Sequence, residues 1–230
     1  MQIWNNDDEL FRLIKQELFT AVIGDIMDKM GFQHQFLPPQ IKPINDNMIL
    51  AGRAMTVLEA DTLSDKNNKD ADPVSEKPFG LMLEALDDLK KNEIYVCTGA
   101  SPAYALWGEL MTARAIKLGA AGALVNGYLR DKKGIVDGQF PVFSYGSYAQ
   151  DQAPRGTVLD FRIPIEIEGV HIRVGDIIVG DLDGACVVPK EIENEVFNKA
   201  IEKARGEKVV KKAIMDGMSA KAAFEKYGIL

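Results

Sequence analysis

"GELMTARAIKLGAAGALVNGYLRD", residues 108–131, is the segment whose reading decides the fold. Its first part, 108–118, has helical character over about 11 residues, or roughly 16 Å. Gly119 and Gly122 let the chain reverse. The apolar "GALVNG" then returns as a strand of about six residues, or roughly 20 Å. The two lengths nearly match, so the helix start and the strand exit fall at the same edge of a β-layer. That edge carries Glu109 from the helix and Arg130–Asp131 from the strand. Helix, reversal and strand of matched length are the building unit of an α/β protein.

The flanking sequence continues the alternation. Residues 7–31, "DDELFRLIKQELFTAVIGDIMDKMG", have helical spacing, with Asp7 or Asp8 as cap and Gly31 as stop. "ILAGRAMTVLEA" (49–60) reads as a strand, "FGLMLEALDDLKK" as a helix, "EIYVCTG" and "FPVFSYG" as strands. "DTLSDKNNKDADPVSEKP" (61–78) is polar, holds two prolines and reads as a long loop, expected to rim the site and select the far end of the substrate. Residues 159–189 are β-rich, with turns at Glu168–Gly169, Gly175–Asp176 and Asp183–Gly184. Helical segments follow from Lys190, with a break near Gly217. The expectation is a single α/β domain over residues 1–230: helices around a central β-layer, a late β-meander, and N- and C-terminal helical segments packed on it.

Composition narrows the function. An apolar fraction of 47% supports a packed core, and a net charge of −7 with no basic block argues against a nucleic-acid surface. No apolar run approaches the roughly 18 residues of a membrane span. "MQIWNNDDELF" lacks the basic-then-apolar order of a signal peptide. Cys97 and Cys186 lie in apolar strand-like runs and read as buried reduced thiols, which points to a cytoplasmic protein. "TGAS" is too short for a phosphate loop, which argues against a nucleotide cofactor. His34 and His171 are the only histidines and do not cluster in sequence. Asp181 and Asp183 read as turn formers.

The edge that gathers Glu109, Arg130 and Asp131 has definite chemistry. In an arbitrary chain an Arg–Asp pair is an ordinary solvated turn, and Glu109 complements a helix dipole. Here the first turn of the helix also offers free N–H groups at Gly108, Glu109, Leu110 and Met111. Free N–H groups at the positive end of a helix bind a carboxylate or phosphate. An arginine beside them adds a bidentate anion clamp. Two acids beside that can hold a hard divalent cation through oxygen.

"WGEL…GALVNGYLRD" resembles the acid-x20-Arg-Asp motif of the 4-hydroxy-4-methyl-2-oxoglutarate aldolases, which share their fold with the regulator of ribonuclease activity A, the RraA-like proteins. "LAGRAMTV", "GQFPVFSYG", "IRVGDIIVGDLDGACVVP" and the tail "AFEKYG" are similar to other landmarks of that family, so the resemblance runs over roughly residues 15–228. It implies an RraA-like αββα sandwich and a class II aldolase. Such an enzyme uses Mg²⁺ or Mn²⁺ to cleave a 4-hydroxy-2-oxo acid and release pyruvate, with oxaloacetate decarboxylation as a companion activity. Asp131 matches the metal ligand, and Arg130 the arginine on the pyruvate oxygens. Leu110 and Met111, next to Gly108, match the backbone N–H pair on the substrate carboxylate. Glu109 stands where the family has Asp, or Gly in inactive members. Glu207, 24 residues after Asp183, matches an acid from a neighbouring subunit of a trimer or of two stacked trimers; by sequence alone it is a solvated helical acid. The chain departs from the pattern at Gly134, where the family often has an acid.

Retro-aldol cleavage leaves a pyruvate enolate whose charge Arg130 and a metal can stabilise. The C4-hydroxyl proton can pass to Glu109 or to a metal-held water. Lys132 and Lys133 lie in a polar turn, which disfavours a Schiff-base route. The other class of function open to this sequence is a non-enzymatic regulator binding a protein partner such as a ribonuclease; Asp131 favours the enzyme.

Overall fold

The computed structural model describes residues 3–62 and 79–228. The expected substrate-selecting loop at 61–78 falls, from residue 63 onward, outside the described residues.

The central sheet has eight strands. Seven run in the order β1 (Lys42–Pro43), β7 (Val142–Ser144), β5 (Gly122–Val125), β3 (Glu93–Thr98), β2 (Leu50–Asp61), β11 (Ile177–Asp181) and β12 (Gly184–Val188). β8 (Gly156–Phe161) is the eighth. The inner strands β7, β5, β3 and β2 pair in parallel, which suits their continuous apolar runs and burial on both faces. β2, 12 residues long, serves two neighbours along one edge. Leu50–Arg53 pair with β11, and Val57–Asp61 pair with β8. The sheet is nearly closed: Leu37 N–H donates to Ala185 O on β12 at 2.9 Å, and Ile44 N–H to Val142 O on β7 at 3.1 Å. Residues 35–44 thus bridge the two ends of the strand order. Two short ladders lie apart, β9 (Ile165–Ile167) with β10 (Val170–Ile172), and β4 (Ala105–Trp107) with β6 (Tyr128–Leu129).

The helix expected over residues 7–31 is two helices, α1 (Asp7–Glu17) and α2 (Thr20–Lys29). Leu18 and Phe19 are extended, and the carboxylate of Asp181 takes both Thr20 N–H and Thr20 Oγ1, each at 2.7 Å. A cap supplied from β11 starts a new helix there, where the periodicity runs on unbroken. The cap of α1 is Asn6, which accepts from Glu9 N–H at 3.0 Å, rather than Asp7 or Asp8. Asp181 also accepts from Asp183 N–H at 2.9 Å, the turn role its sequence suggested. α3 (Met82–Asp87), α4 (Glu109–Leu118) and α5 (Lys132–Asp137) are short, whereas α6 (Glu193–Met215) is the longest and is followed by α7 (Ala220–Tyr227) after Gly217.

Two apolar cores result. α1, α2 and α6 bury one stripe each against Ala51, Ile177, Val179, Cys186 and Val188 of the sheet. The larger core holds Met55, Tyr95, Trp107, Phe140 and Phe143, with Trp107 stacked on Phe140 and tilted against Tyr95. Both cysteines are buried and free. No described helix is long and apolar enough to cross a membrane. The mixed α/β architecture with helices around a central β-layer is the one expected from the sequence.

Candidate active site

The parallel β4–β6 pair, invisible in the sequence pattern, joins the two halves of the predicted edge. Arg130 N–H donates to Trp107 O at 2.9 Å, so the residue before Gly108 and the residue before Asp131 run side by side. Gly108 is the cap residue of α4 and has no side chain to cap with. Asp131 supplies the missing acceptor: its Oδ2 takes Glu109 N–H at 3.3 Å. A Cβ on residue 108 would sit 3.0 Å from that same Oδ2, so glycine is what admits the carboxylate. Asp131 turns the chain from β6 into α5 at φ 58°, ψ 32°, the left-handed region that Asp and Asn tolerate better than other side chains.

Arg130 is held between two acids. Its Nε lies 3.7 Å from Asp131 Oδ2 and its Nη1 3.0 Å from Asp151 Oδ1. All three side chains are 40–44% exposed, so their mutual attraction is worth at most about 1 kcal/mol and is available to be exchanged for a ligand. They face a cavity of about 410 Å³. It is lined by Gly108, Leu110 and Met111 at the start of α4, by the apolar Phe79, Met82, Leu83 and Leu86, and by Trp107 and Gln152. Trp107 is both core and cavity wall, its indole N–H satisfied by Thr112 Oγ1 at 2.7 Å. Asp87 and Arg114, paired at 2.7 Å, also line it.

Glu109 does not line this cavity. Its carboxylate lies over α5, where a Cβ on Gly134 would stand 2.2 Å from Glu109 Cδ. The two departures from the family pattern are therefore one feature: the longer acid at 109 fills the space from which a side chain at 134 would begin. A coupling follows. Gly→Ala inside a helix ordinarily stabilises by about 0.5–1 kcal/mol. Gly134→Ala is expected to show no such gain while Glu109 is present, and to regain it in a Glu109→Ala background. A coupling near 1 kcal/mol in denaturant melts of the four proteins is the expected result; additive effects would show that the two sites do not compete for this space.

Glu207 is remote from the cavity within one chain. It lies on α6, paired with Lys203 at 3.5 Å on the side of the second core. Asp151 and Gln152 were not found by sequence reasoning. They belong to "YAQDQAPRG", a polar stretch with no periodicity, and only the packing of that stretch behind β4 brings them to Arg130.

The family model described as Aldolase/RraA matches residues 20–187 of this chain. The chain belongs to the RraA-like family. A Halalkalibacterium halodurans protein provisionally named 4-hydroxy-4-methyl-2-oxoglutarate aldolase is 31% identical over 208 residues, 89% of each chain. Protein DlpA of Legionella pneumophila is 29% identical over 210 residues, 90% of this chain but only 32% of DlpA. The crystal structure of Streptomyces coelicolor RraAS2, described as an unusual member of the RNase ES inhibitor RraA family, has a TM-score of 0.74 over 90% of this chain and 98% of its own. At 19% identity that likeness is one of fold. As in the sequence motif, this RraA-like chain carries Arg130 and Asp131 at the strand exit and an acid at the helix start.

Proposed function

We propose that this protein is a divalent-metal-dependent lyase that cleaves a 4-hydroxy-2-oxo acid to pyruvate and a second carbonyl compound, and that also decarboxylates oxaloacetate. The observation that carries the reading is the meeting of the Arg130 guanidinium, the Asp131 carboxylate and the open N–H groups of α4 on the lining of one largely apolar cavity. The names of the aldolase relatives support it.

The donor set suits Mg²⁺ or Mn²⁺. Among the described residues no group of three or more His, Cys, Asp or Glu forms a cage. A hard ion held through one or two carboxylates, with water and substrate oxygens completing its shell, needs no such cage. Asp131 would hold it, and when bound the ion supplies Lewis-acid polarisation of the 2-oxo group, worth several kcal/mol.

The chain's own residues do the rest. The N–H groups of Leu110 and Met111 take the substrate carboxylate at the positive end of α4. Arg130, oriented by Asp151, donates to the 2-oxo oxygen, where negative charge gathers as the C3–C4 bond breaks and its electron pair becomes the enolate. The C4-hydroxyl proton leaves as C4 becomes a carbonyl. Asp151, which lines the cavity beside Arg130, is placed to take it; Glu109, whose carboxylate lies over Gly134 outside the lining, would act only through a metal-held water, and the pH profiles of Asp151→Asn and Glu109→Gln distinguish the two routes. C3 of the enolate then takes a proton from water or from the acid that received the C4-hydroxyl proton, which gives pyruvate. Glu207 enters this reading only across a subunit boundary, in a trimer or two stacked trimers.

The test is pyruvate release from a panel of 4-hydroxy-2-oxo acids and from oxaloacetate, with Mg²⁺ or Mn²⁺ and with excess chelator. Metal-dependent turnover of at least one 4-hydroxy-2-oxo acid is expected. No pyruvate from any of them would favour the regulator that binds a protein partner.

A further inference from the structure

Behind the cavity wall lies a buried acid that the proposed reaction does not use. Glu59 on β2 is 2% exposed. The β2–β8 register shifts between Leu58 and Glu59, the kind of irregularity that re-aims a side chain. Glu59 Oε2 accepts from Gln152 Nε2 at 2.9 Å, and Glu59 Oε1 has no hydrogen-bond partner among the described residues. Gln152 is itself 3% exposed, yet it borders the cavity next to Arg130. It is the only side-chain amide among the described lining residues. One amide therefore joins a buried carboxyl to the wall of a binding site.

The titratable groups facing Glu59 are Tyr95 and Cys97 of β3 and Tyr104 ahead of β4. Asp61, farther along β2, is occupied by the Tyr104 hydroxyl at 2.7 Å, and Asp151 is occupied by Arg130. Among the described residues, no cation from these elements offsets a charge on Glu59. Burial pushes its carboxyl up to about 8, with the Cys97 thiol pulling the other way.

We propose that Gln152 selects the far end of the substrate, and that Glu59 is a positioning residue that fixes which edge of the Gln152 amide faces the cavity. An ionised Glu59 only accepts, so Gln152 gives it Nε2 and turns its own oxygen to the cavity. A protonated Glu59 must donate. A proton on Oε1 would have only the Cys97 sulfur, a weak acceptor, to meet, which leaves it poorly satisfied. A proton on Oε2 has an acceptor if the amide makes a half-turn and offers its oxygen. The NH₂ edge then faces the cavity and binds a carbonyl or carboxylate at the distal end of a 2-oxo acid. Deprotonation reverses the edge and places a negative charge behind it, so such ligands are rejected as pH rises through the Glu59 transition. The pairing of Glu59 with Gln152 stands independently of the reaction; the choice of a 2-oxo acid as ligand rests on the aldolase reading.

The experiment has two arms. In the first, the Glu59 carboxyl ¹³C and the Gln152 side-chain ¹⁵N are followed by NMR from pH 6 to 9.5 in the protein alone. A shared midpoint is expected; a Gln152 signal that does not move with Glu59 overturns the proposal. In the second, binding of 2-oxoglutarate and of 2-oxopentanoate is measured by calorimetry with Mg²⁺ present. The two share a head group and differ in the distal carboxylate, so effects at Arg130 cancel in their ratio. The preference for 2-oxoglutarate should fall about tenfold between pH 7 and pH 9, and should be flat in Glu59→Gln. A flat wild-type ratio, or an unchanged slope in Glu59→Gln, overturns it. Binding of neither ligand would count against the aldolase reading, and the NMR arm would still decide the Glu59–Gln152 coupling.

Discussion

Asp131→Asn is expected to lower metal-dependent pyruvate release by on the order of 10³-fold while leaving the melting temperature within a degree or two. The activity loss corresponds to about 4 kcal/mol, the scale of Lewis-acid stabilisation lost with a weakened ligand. Asparagine is the informative replacement. Asp131 sits at φ 58° and caps α4 through Oδ2, and Asn tolerates that backbone region and keeps an acceptor oxygen. Alanine would remove the cap and add strain of about 1 kcal/mol, mixing a folding effect into the kinetics. The stability of Asp131→Asn should be unaffected because the side chain is 44% exposed and contributes little to the core. Steady-state rates across a Mg²⁺ titration, beside a thermal melt, make the check. Wild-type rates in this variant at every Mg²⁺ concentration would remove Asp131 from the metal and with it the class II assignment.

The second large effect concerns stability, away from the cavity. Arg53→Met should destabilise the fold by about 2–4 kcal/mol and lower the melting temperature by roughly 10 °C. Arg53, the arginine of "LAGRAMTV", stands near the start of β2 with all five guanidinium N–H groups engaged. Nε and Nη2 take the two oxygens of Asp7 at 2.9 and 2.7 Å, Nη1 takes Gly175 O at 3.1 Å, and Glu193 is gripped by both terminal nitrogens. One side chain thus ties the first residue of α1, the first residue of α6 and the turn before β11 to the sheet. Glu193 is 14% exposed, so removing the arginine strands a largely buried carboxylate; Asp7, at 40%, keeps more of its water, which holds the loss below that of a fully buried pair. Adding Asp7→Asn and Glu193→Gln should recover part of the loss, because it removes the uncompensated charges. Chemical denaturation of the single and triple variants measures this; a change below about 0.5 kcal/mol for Arg53→Met would show the network to be surface decoration.

Much of this protein was set by local sequence. The apolar runs "AMTVLEA", "IYVCTG" and "GALVNG" are strands because β-branched and apolar residues run continuously between turn residues, and burial on both faces makes them inner parallel strands. Gly108–Asp131 fixes its own geometry, since a helix and a strand of matched length must return to the edge they left. The sequence therefore determined the α/β class and the presence of Glu109, Arg130 and Asp131 at one edge. What the tertiary structure decided are the contacts that local periodicity does not encode. The break between α1 and α2 depends on Asp181, 161 residues from Thr20. The β4–β6 pair depends on two segments too short to register as strands. Glu109 leans over Gly134 because α5 packs against α4 there, a matter of a missing Cβ rather than of charge. Asp151 and Gln152 reach Arg130 and Glu59 from an irregular segment whose backbone bonds are mostly to its own neighbours and to β4, and no hydropathy pattern marks such a segment. Periodicity reports which face a residue turns to a core; it carries no information about which distant polar group a buried carboxyl will meet, because that depends on how separate elements pack.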